Sequence, residues 1–161
     1  MDAYLAIASK RDERAYADTP IPPEVERRIL DCGRLSGSSR NTQKWEFVVV
    51  ADGQQELAEA VYAPDNVRTA ALVVAVVGEA FATDVGRCIQ NMMLGAWNDG
   101  VVSCPNGVKD AELAARICGG APKAIISFGY PAKPRDPQSR SAEEWSARAK
   151  RKPLDELVRR A

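Results

Sequence analysis

Hydrophobic positions along this chain change their spacing several times, and each change marks an element. Val25, Ile29 and Cys32 or Gly33 step along one face of Pro23–Leu35, the spacing of an amphipathic helix. Trp45–Ala51 reads as a buried strand. Thr69–Gly78 is a near-continuous run of alanine and β-branched residues, which predicts a strand covered on both faces. Val85, Ile89, Met92, Met93 and Ala96 recur at three- and four-residue steps over Asp84–Asp99. That helix is apolar nearly all round and reads as central, with Met92 and Met93 as core filling. Shorter elements complete the pattern. Asp2 caps a helix from Ala3 to about Lys10. Gln54–Val61 is a short helix with Leu57 and Val61 inward. Val101–Val102 is a short strand, followed by a small-residue loop over Ser103–Gly107. Asp110 caps a helix through Ile117, and Lys123–Tyr130 is the last clear strand. Ser141 with Glu144 forms a capping-box signature ahead of a helix over Ala142–Lys150. Helices and strands alternate without a βαβ rhythm and without G-x-G-x-x-G. An α+β sandwich fits better than a dinucleotide-binding parallel sheet.

Composition narrows the function. The 161 residues suit one domain, 1–161, and 45% hydrophobic content supplies a core. Twenty-two cationic and 22 acidic side chains cancel, so no global field draws the chain to nucleic acid or membrane. The opening MDAYLAIASKRDER has no basic leader before an apolar core, and no apolar run reaches the ~20 residues that span a bilayer. Four widely spaced cysteines form no C-x-x-C pair, which points to free thiols in a reducing compartment, the cytoplasm. Cys104 has nothing basic beside it in sequence and reads as inert packing. There is no histidine, which removes Ser-His and Cys-His catalysis and most transition-metal sites. An organic cofactor is one natural way to supply chemistry in such a chain.

Three polar segments stand out from this background. Lys10-Arg11-Asp12-Glu13-Arg14-Ala15-Tyr16 places three cations within five residues, enough to cradle a phosphate of about two negative charges. The same run also reads as a solvated stretch in which Asp12 and Glu13 pair off the cations. Ser36-Gly37-Ser38-Ser39-Arg40-Asn41-Thr42-Gln43 is a loop of hydroxyl, amide and backbone donors, and it also reads as an ordinary helix-to-strand connection. Gly37 in it permits a close backbone approach. Lys150-Arg151-Lys152 is a second cationic cluster, distant in sequence from the first.

Taken together, these pieces resemble the nitroreductase family of FMN-dependent oxidoreductases. Lys10-Arg11-x-x-Arg14-x-Tyr16 is similar to the family's opening basic motif, and Thr19–Pro23 to its proline-rich lead. Ser38-x-x-Asn41-x-Gln43-x-Trp45-x-Phe47 is similar to its S-x-x-N-x-Q-P-W-x-F loop. Gln90-Asn91-Met92-Met93-Leu94, Gly129-Tyr130-Pro131 and Arg151-Lys152-Pro153-Leu154 follow in the family's order. The resemblance implies an α+β fold with a mixed, mostly antiparallel sheet flanked by helices. It also implies an intertwined homodimer with FMN at the interface. It further implies hydride transfer from NADH or NADPH through FMN to a nitroaromatic, quinone or similar small-molecule acceptor. By position, Lys10, Arg11 and Arg14, with Asp12 beside them, would bind the phosphate, ribityl chain and flavin N1/C2=O edge. Ser38, Ser39 and Asn41 would reach the flavin from the partner subunit. Asn106 and Gly107 would lie near N5 and O4, and Arg151 with Lys150 or Lys152 would close over the phosphate. A cation such as Arg14 would stabilise the negative charge a flavin gains near N1 on reduction. The chain departs from the family in three places. Asp12 stands where a serine is usual, Lys44 replaces the proline after Gln43, and Ser36-Gly37 replaces Ala-Pro. The helical lid that many members insert before the central helix is also missing. An open flavin face raises an alternative: an FMN-binding protein with little turnover of its own.

Overall fold

The structure, a computed structural model, describes residues 1–160 and divides into two compact units. The larger, Arg11–Arg135, is built on a sheet of β1 (Glu46–Val49), β2 (Leu72–Val77), β3 (Val102–Asn106) and β4 (Ala124–Gly129). The strand order is β1-β2-β4-β3. All three pairings are antiparallel, with Glu46 opposite Val77, Val73 opposite Ser127 and Ser103 opposite Phe128. A parallel bridge between Asp12 and Ser103 makes the sheet mixed but mostly antiparallel, as expected.

The apolar run of β2 has its explanation in the layers around it. Side chains alternate across a strand. Leu72, Val74 and Val76 join one core with Ile29, Met92, Met93 and Phe128, beneath α2 (Pro23–Arg34) and α5 (Ala82–Asn98). Val73, Ala75 and Val77 join a second core with Leu57, Val61, Val67, Ala114 and Ile125. That core is covered by α3 (Gln54–Ala58), α4 (Pro64–Arg68) and α6 (Ala111–Cys118). With both faces of β2 buried, no position on it favours a polar residue. Met92 is fully buried and Met93 nearly so, so both fill the core as expected. The far end of α5 is tied to α2 by an ion pair from Arg28 Nε to Asp99 Oδ2 at 2.5 Å.

The strand expected to be buried over Trp45–Ala51 is instead the edge strand β1, with Glu46 and Val49 exposed, and two more elements of this unit differ from expectation. The helix expected over Gln54–Val61 stops at Ala58, because Val61 leaves it to bridge Val108. A separate helix then starts with Pro64, whose missing N–H costs nothing in a first turn. The loop expected over Ser103–Gly107 is instead strand through Asn106, paired with Ile125. Small residues and Pro105 read locally as a turn, but β3 is an edge strand, where proline is tolerated. Only the pairing with β4 reveals it.

The smaller unit comprises Met1–Lys10 and the chain from Asp136 onward. It holds α1 (Ala3–Ser9), α7 (Ala142–Arg148) and α8 (Leu154–Leu157). Asp2 Oδ1 accepts the Leu5 N–H at 3.0 Å. Both arms of the capping box form, Glu144 N–H to Ser141 Oγ at 3.2 Å and Ser141 N–H to Glu144 Oε2 at 2.8 Å. Trp145 Nε1 donates to the Pro137 carbonyl at 2.8 Å, under the Arg140 guanidinium. The helix ends at Arg148, short of the expected Lys150, whose φ of +52° is left-handed. Among the described residues, no helix is long and apolar enough to cross a membrane.

Candidate functional site

The basic segment is laid out as an extended strip along the sheet. Glu13 N–H donates to the Ser103 carbonyl at 3.2 Å, and Ala17 N–H to the Tyr130 carbonyl at 2.8 Å. Arg11 is half-buried and Arg14 exposed. Glu13 does not neutralise them. Arg135 takes it in a two-pronged contact, Nε to Oε1 at 2.7 Å and Nη2 to Oε2 at 2.9 Å. Asp12 stays exposed beside Ser103.

Tyr16 anchors the strip. Its hydroxyl lies 2.8 Å from Ser127 Oγ, which in turn receives the Asn106 amide at 3.1 Å. Asn66 Nδ2 donates to Asn106 Oδ1 at 3.2 Å, completing a buried polar chain across β3 and β4. Burial pushes the Tyr16 phenol up to about 12, with the Ser127 hydrogen bond opposing. The folded state therefore holds the proton more tightly than an unfolded chain, whose phenol titrates near 10. This contribution to stability is complete below about pH 10 and is lost as pH rises through about 12. Chemical denaturation at stepped pH is expected to show a steeper alkaline loss for the native chain than for Tyr16→Phe.

The polar loop is strained and tied down by α5. Arg40, Asn41 and Gln43 have φ of +52°, +55° and +49°. Left-handed backbone costs a non-glycine residue of order 1 kcal/mol, and it persists only where the surroundings impose it. Here one face of α5 imposes it. Asp84, buried, accepts the Ser39 N–H at 2.9 Å through Oδ2. Asn91 Nδ2 donates to Ser36 Oγ at 2.8 Å. Between them, Arg87 lies 4.0 Å from Asp84 Oδ1. A Cβ on Gly37 would sit 2.4 Å from Arg87 Nη2, so the close approach that Gly37 permits is to this helix. Ser38 Oγ accepts the Gln43 N–H at 2.9 Å and keeps its own proton to donate. The Asn41 side chain points into solvent.

The remaining predicted residues divide by unit. Asn106 and Gly107 close β3. The Asn106 side chain is buried in the chain from Tyr16, so the group this turn offers a ligand is its backbone, with Gly107 exposed. Lys10, Arg151 and Lys152 belong to the smaller unit, where Arg151 and Lys152 are exposed and Lys10 is half-buried. A cleft of about 500 Å³ between residues 16–20 and 68–71 carries none of the predicted contact residues.

The sheet keeps the two main groups apart. The loop leads into β1 at one edge, beside the β2 end at Val77, whereas Asp12 pairs with Ser103 near the start of β3 at the other edge. The strip lies outside β3, so the two groups stand at diagonal corners, separated by four strand spacings, about 19 Å across the sheet. Of the loop stabilisers Asp84, Arg87 and Asn91, only Asn91 lay in a quoted motif, Gln90–Leu94, and that motif assigned it no contact with the loop. Their signal was a polar i, i+3, i+7 row on an otherwise apolar helix, which faces whatever packs there.

Comparison with known proteins agrees with this architecture. The model described as Nitroreductase family matches residues 7–80. A provisionally named NADH dehydrogenase/NAD(P)H nitroreductase of Archaeoglobus fulgidus is 27% identical over 149 residues, covering 81% of this chain and 86% of the relative. A provisionally named nitroreductase of Desulfovibrio desulfuricans, solved in complex with FMN, is 25% identical with a TM-score of 0.79. That likeness spans 100% of this chain and 98% of the other. A nitroreductase family protein of Streptococcus pneumoniae shares the fold at a TM-score of 0.82 and 17% identity, over 97% of this chain and 98% of that one. The chain is similar to the nitroreductase family in sequence over residues 7–80 and shares the fold of its members over nearly its whole length.

Proposed function

We propose that the chain, acting as one domain over 1–161, is a cytoplasmic FMN-dependent NAD(P)H oxidoreductase. It works as a homodimer and reduces a nitroaromatic, quinone or similar small molecule. The observation that carries this is the diagonal placement of the basic strip and the strained loop. Two donor groups about 19 Å apart across the sheet do not close on one isoalloxazine within a chain, whereas two copies set together bring the strip of one against the loop of the other. The donor set fits FMN. Arg11 and Arg14, with Lys10, supply charge for the phosphate and for the N1 edge. Ser38, Ser39 and Asn41 supply hydroxyl and amide groups from the other subunit. Gly107 and the backbone at Asn106 offer groups for the ring's far edge, and Arg151 with Lys152 a second clamp on the phosphate. When bound, FMN supplies the hydride chemistry, which suits a chain without histidine. The likeness to an NAD(P)H nitroreductase and to an FMN-bound structure supports the same reading, as do four free cysteines for the reducing compartment.

A second reading has its own observation. Only residues 78–81 separate β2 from α5, which leaves no chain for a lid over the flavin, and an uncovered site excludes water poorly. On that reading the protein binds FMN with little turnover. The two separate in one experiment. The purified dimer is expected to be yellow, and NADPH is expected to bleach it anaerobically. Colour without bleaching supports the second reading, and protein that stays colourless after added FMN defeats both.

A further inference from the structure

The strained loop has a second face, which shares only Ser39 with the proposed flavin contacts. Ser39, Arg40, Thr42 and Lys44 line a cleft of about 340 Å³ closed on its far side by Phe81. Arg40 and Lys44 are both exposed, and among the described residues neither has an ion-pair partner. The nearby carboxylate, Asp84, is already committed to the Ser39 N–H and Arg87. Phe81 is 63% exposed at the start of α5, an uneconomical place for a bare ring. Two cations ask for a dianion, and a ring beside them asks for a flat partner to stack on. A lone phosphate leaves Phe81 unused, and a neutral aromatic leaves the cations unused.

We infer that this cleft binds the 2′-phosphorylated adenosine half of NADPH, so that Arg40 and Lys44 select NADPH over NADH while Phe81 stacks on the adenine. NADPH and NADH differ only in that phosphate, so a site with two cations for it discriminates between them. The inference rests on the oxidoreductase reading above and deepens it. Lys44 stands where the family pattern has proline, so this chain acquires a cation at the rim that the family's usual loop lacks. Arg40 reaches the cleft from left-handed backbone, and asparagine tolerates that conformation. Arg40→Asn therefore removes the charge while keeping the loop's shape.

The test uses the FMN-loaded protein. Calorimetric titration with 2′,5′-ADP and with 5′-AMP is run beside steady-state kinetics with NADPH and NADH, for the native chain and for Arg40→Asn, Lys44→Glu and Phe81→Ala. The native chain is expected to favour NADPH at least tenfold in kcat/KM and to bind 2′,5′-ADP at least tenfold tighter than 5′-AMP. Lys44→Glu and Arg40→Asn are each expected to cut kcat/KM for NADPH at least tenfold more than that for NADH, with unchanged melting curves. Phe81→Ala is expected to weaken both adenosine ligands alike. Equal affinity for the two ligands, or an NADPH-to-NADH ratio that Lys44→Glu leaves unchanged, overturns the inference. So does a loss in Lys44→Glu confined to a nitrobenzoate acceptor, which assigns the cleft to acidic substrates. If neither dinucleotide bleaches the flavin, the oxidoreductase reading fails, and the 2′,5′-ADP titration still decides the site by itself.

Discussion

Gly78→Ala is expected to destabilise the protein by about 4 kcal/mol, the sum of two effects of similar size. Gly78 sits at φ +103°, backbone that an L side chain adopts only under strain. A Cβ there would lie 2.7 Å from the Lys44 carbonyl oxygen and 3.4 Å from the Lys44 carbonyl carbon and Trp45 Cα. All three neighbours are backbone, so no rotamer change relieves the contact. Either the β2 end moves, which breaks the pairing of Glu46 with Val77, or the chain entering β1 moves. For a chain of this length the fall in melting temperature is roughly 10 °C. Thermal and urea denaturation measure it, and a loss below about 1 kcal/mol contradicts the steric argument. Because Lys44 follows the strained loop directly, any surviving fold is expected to hold that loop less firmly.

Asp84→Ala tests the loop itself. The Asp84 carboxylate is the only group among the described residues to which the Ser39 N–H donates, and beyond Ser39 come the left-handed residues Arg40, Asn41 and Gln43. Without the acceptor, a partly buried N–H loses its bond at about 1–3 kcal/mol, and the strained residues relax toward ordinary backbone. If Ser38, Ser39 and Asn41 contact FMN across the dimer, the relaxed loop must be reordered on binding, and FMN affinity falls at least tenfold. Asp84→Asn keeps an acceptor oxygen and is expected to recover most of the loss. Fluorescence of released FMN on dilution gives the dissociation constant. Native affinity in Asp84→Ala would show that the loop holds its shape unaided or does not touch the flavin. A drop in melting temperature without a change in FMN binding would make Asp84 merely structural.

The elements that the sequence revealed are those whose period is set by burial. Residues 72–77 had to be apolar on both faces because helices cover both sides, and Val85 to Ala96 had to follow a helical period because one stripe meets β2 and β4. The caps at Asp2, Asp110 and Ser141 were legible because a side chain three residues from its donor is a local matter. The fold class and the family resemblance followed from short motifs in a fixed order. Strand β3 was not legible past Val102, since Ser103, Cys104 and Pro105 favour a turn locally and only β4 makes them a strand. Helix α4 was missed for a related reason: the break after Ala58 depends on Val61 pairing with Val108, 47 residues away.

The sequence by itself determined the layers, the core, the cationic clusters and the loop chemistry, because each depends on spacing within a few residues. Only the tertiary structure decided what those groups face. It turned Asn106 inward, gave Glu13 to Arg135, and recruited Asp84, Arg87 and Asn91 to hold the loop. It also set the basic strip and the loop at opposite corners of the sheet. Contacts of that kind join residues tens of positions apart, where local propensity carries no information and strand order alone fixes the distance.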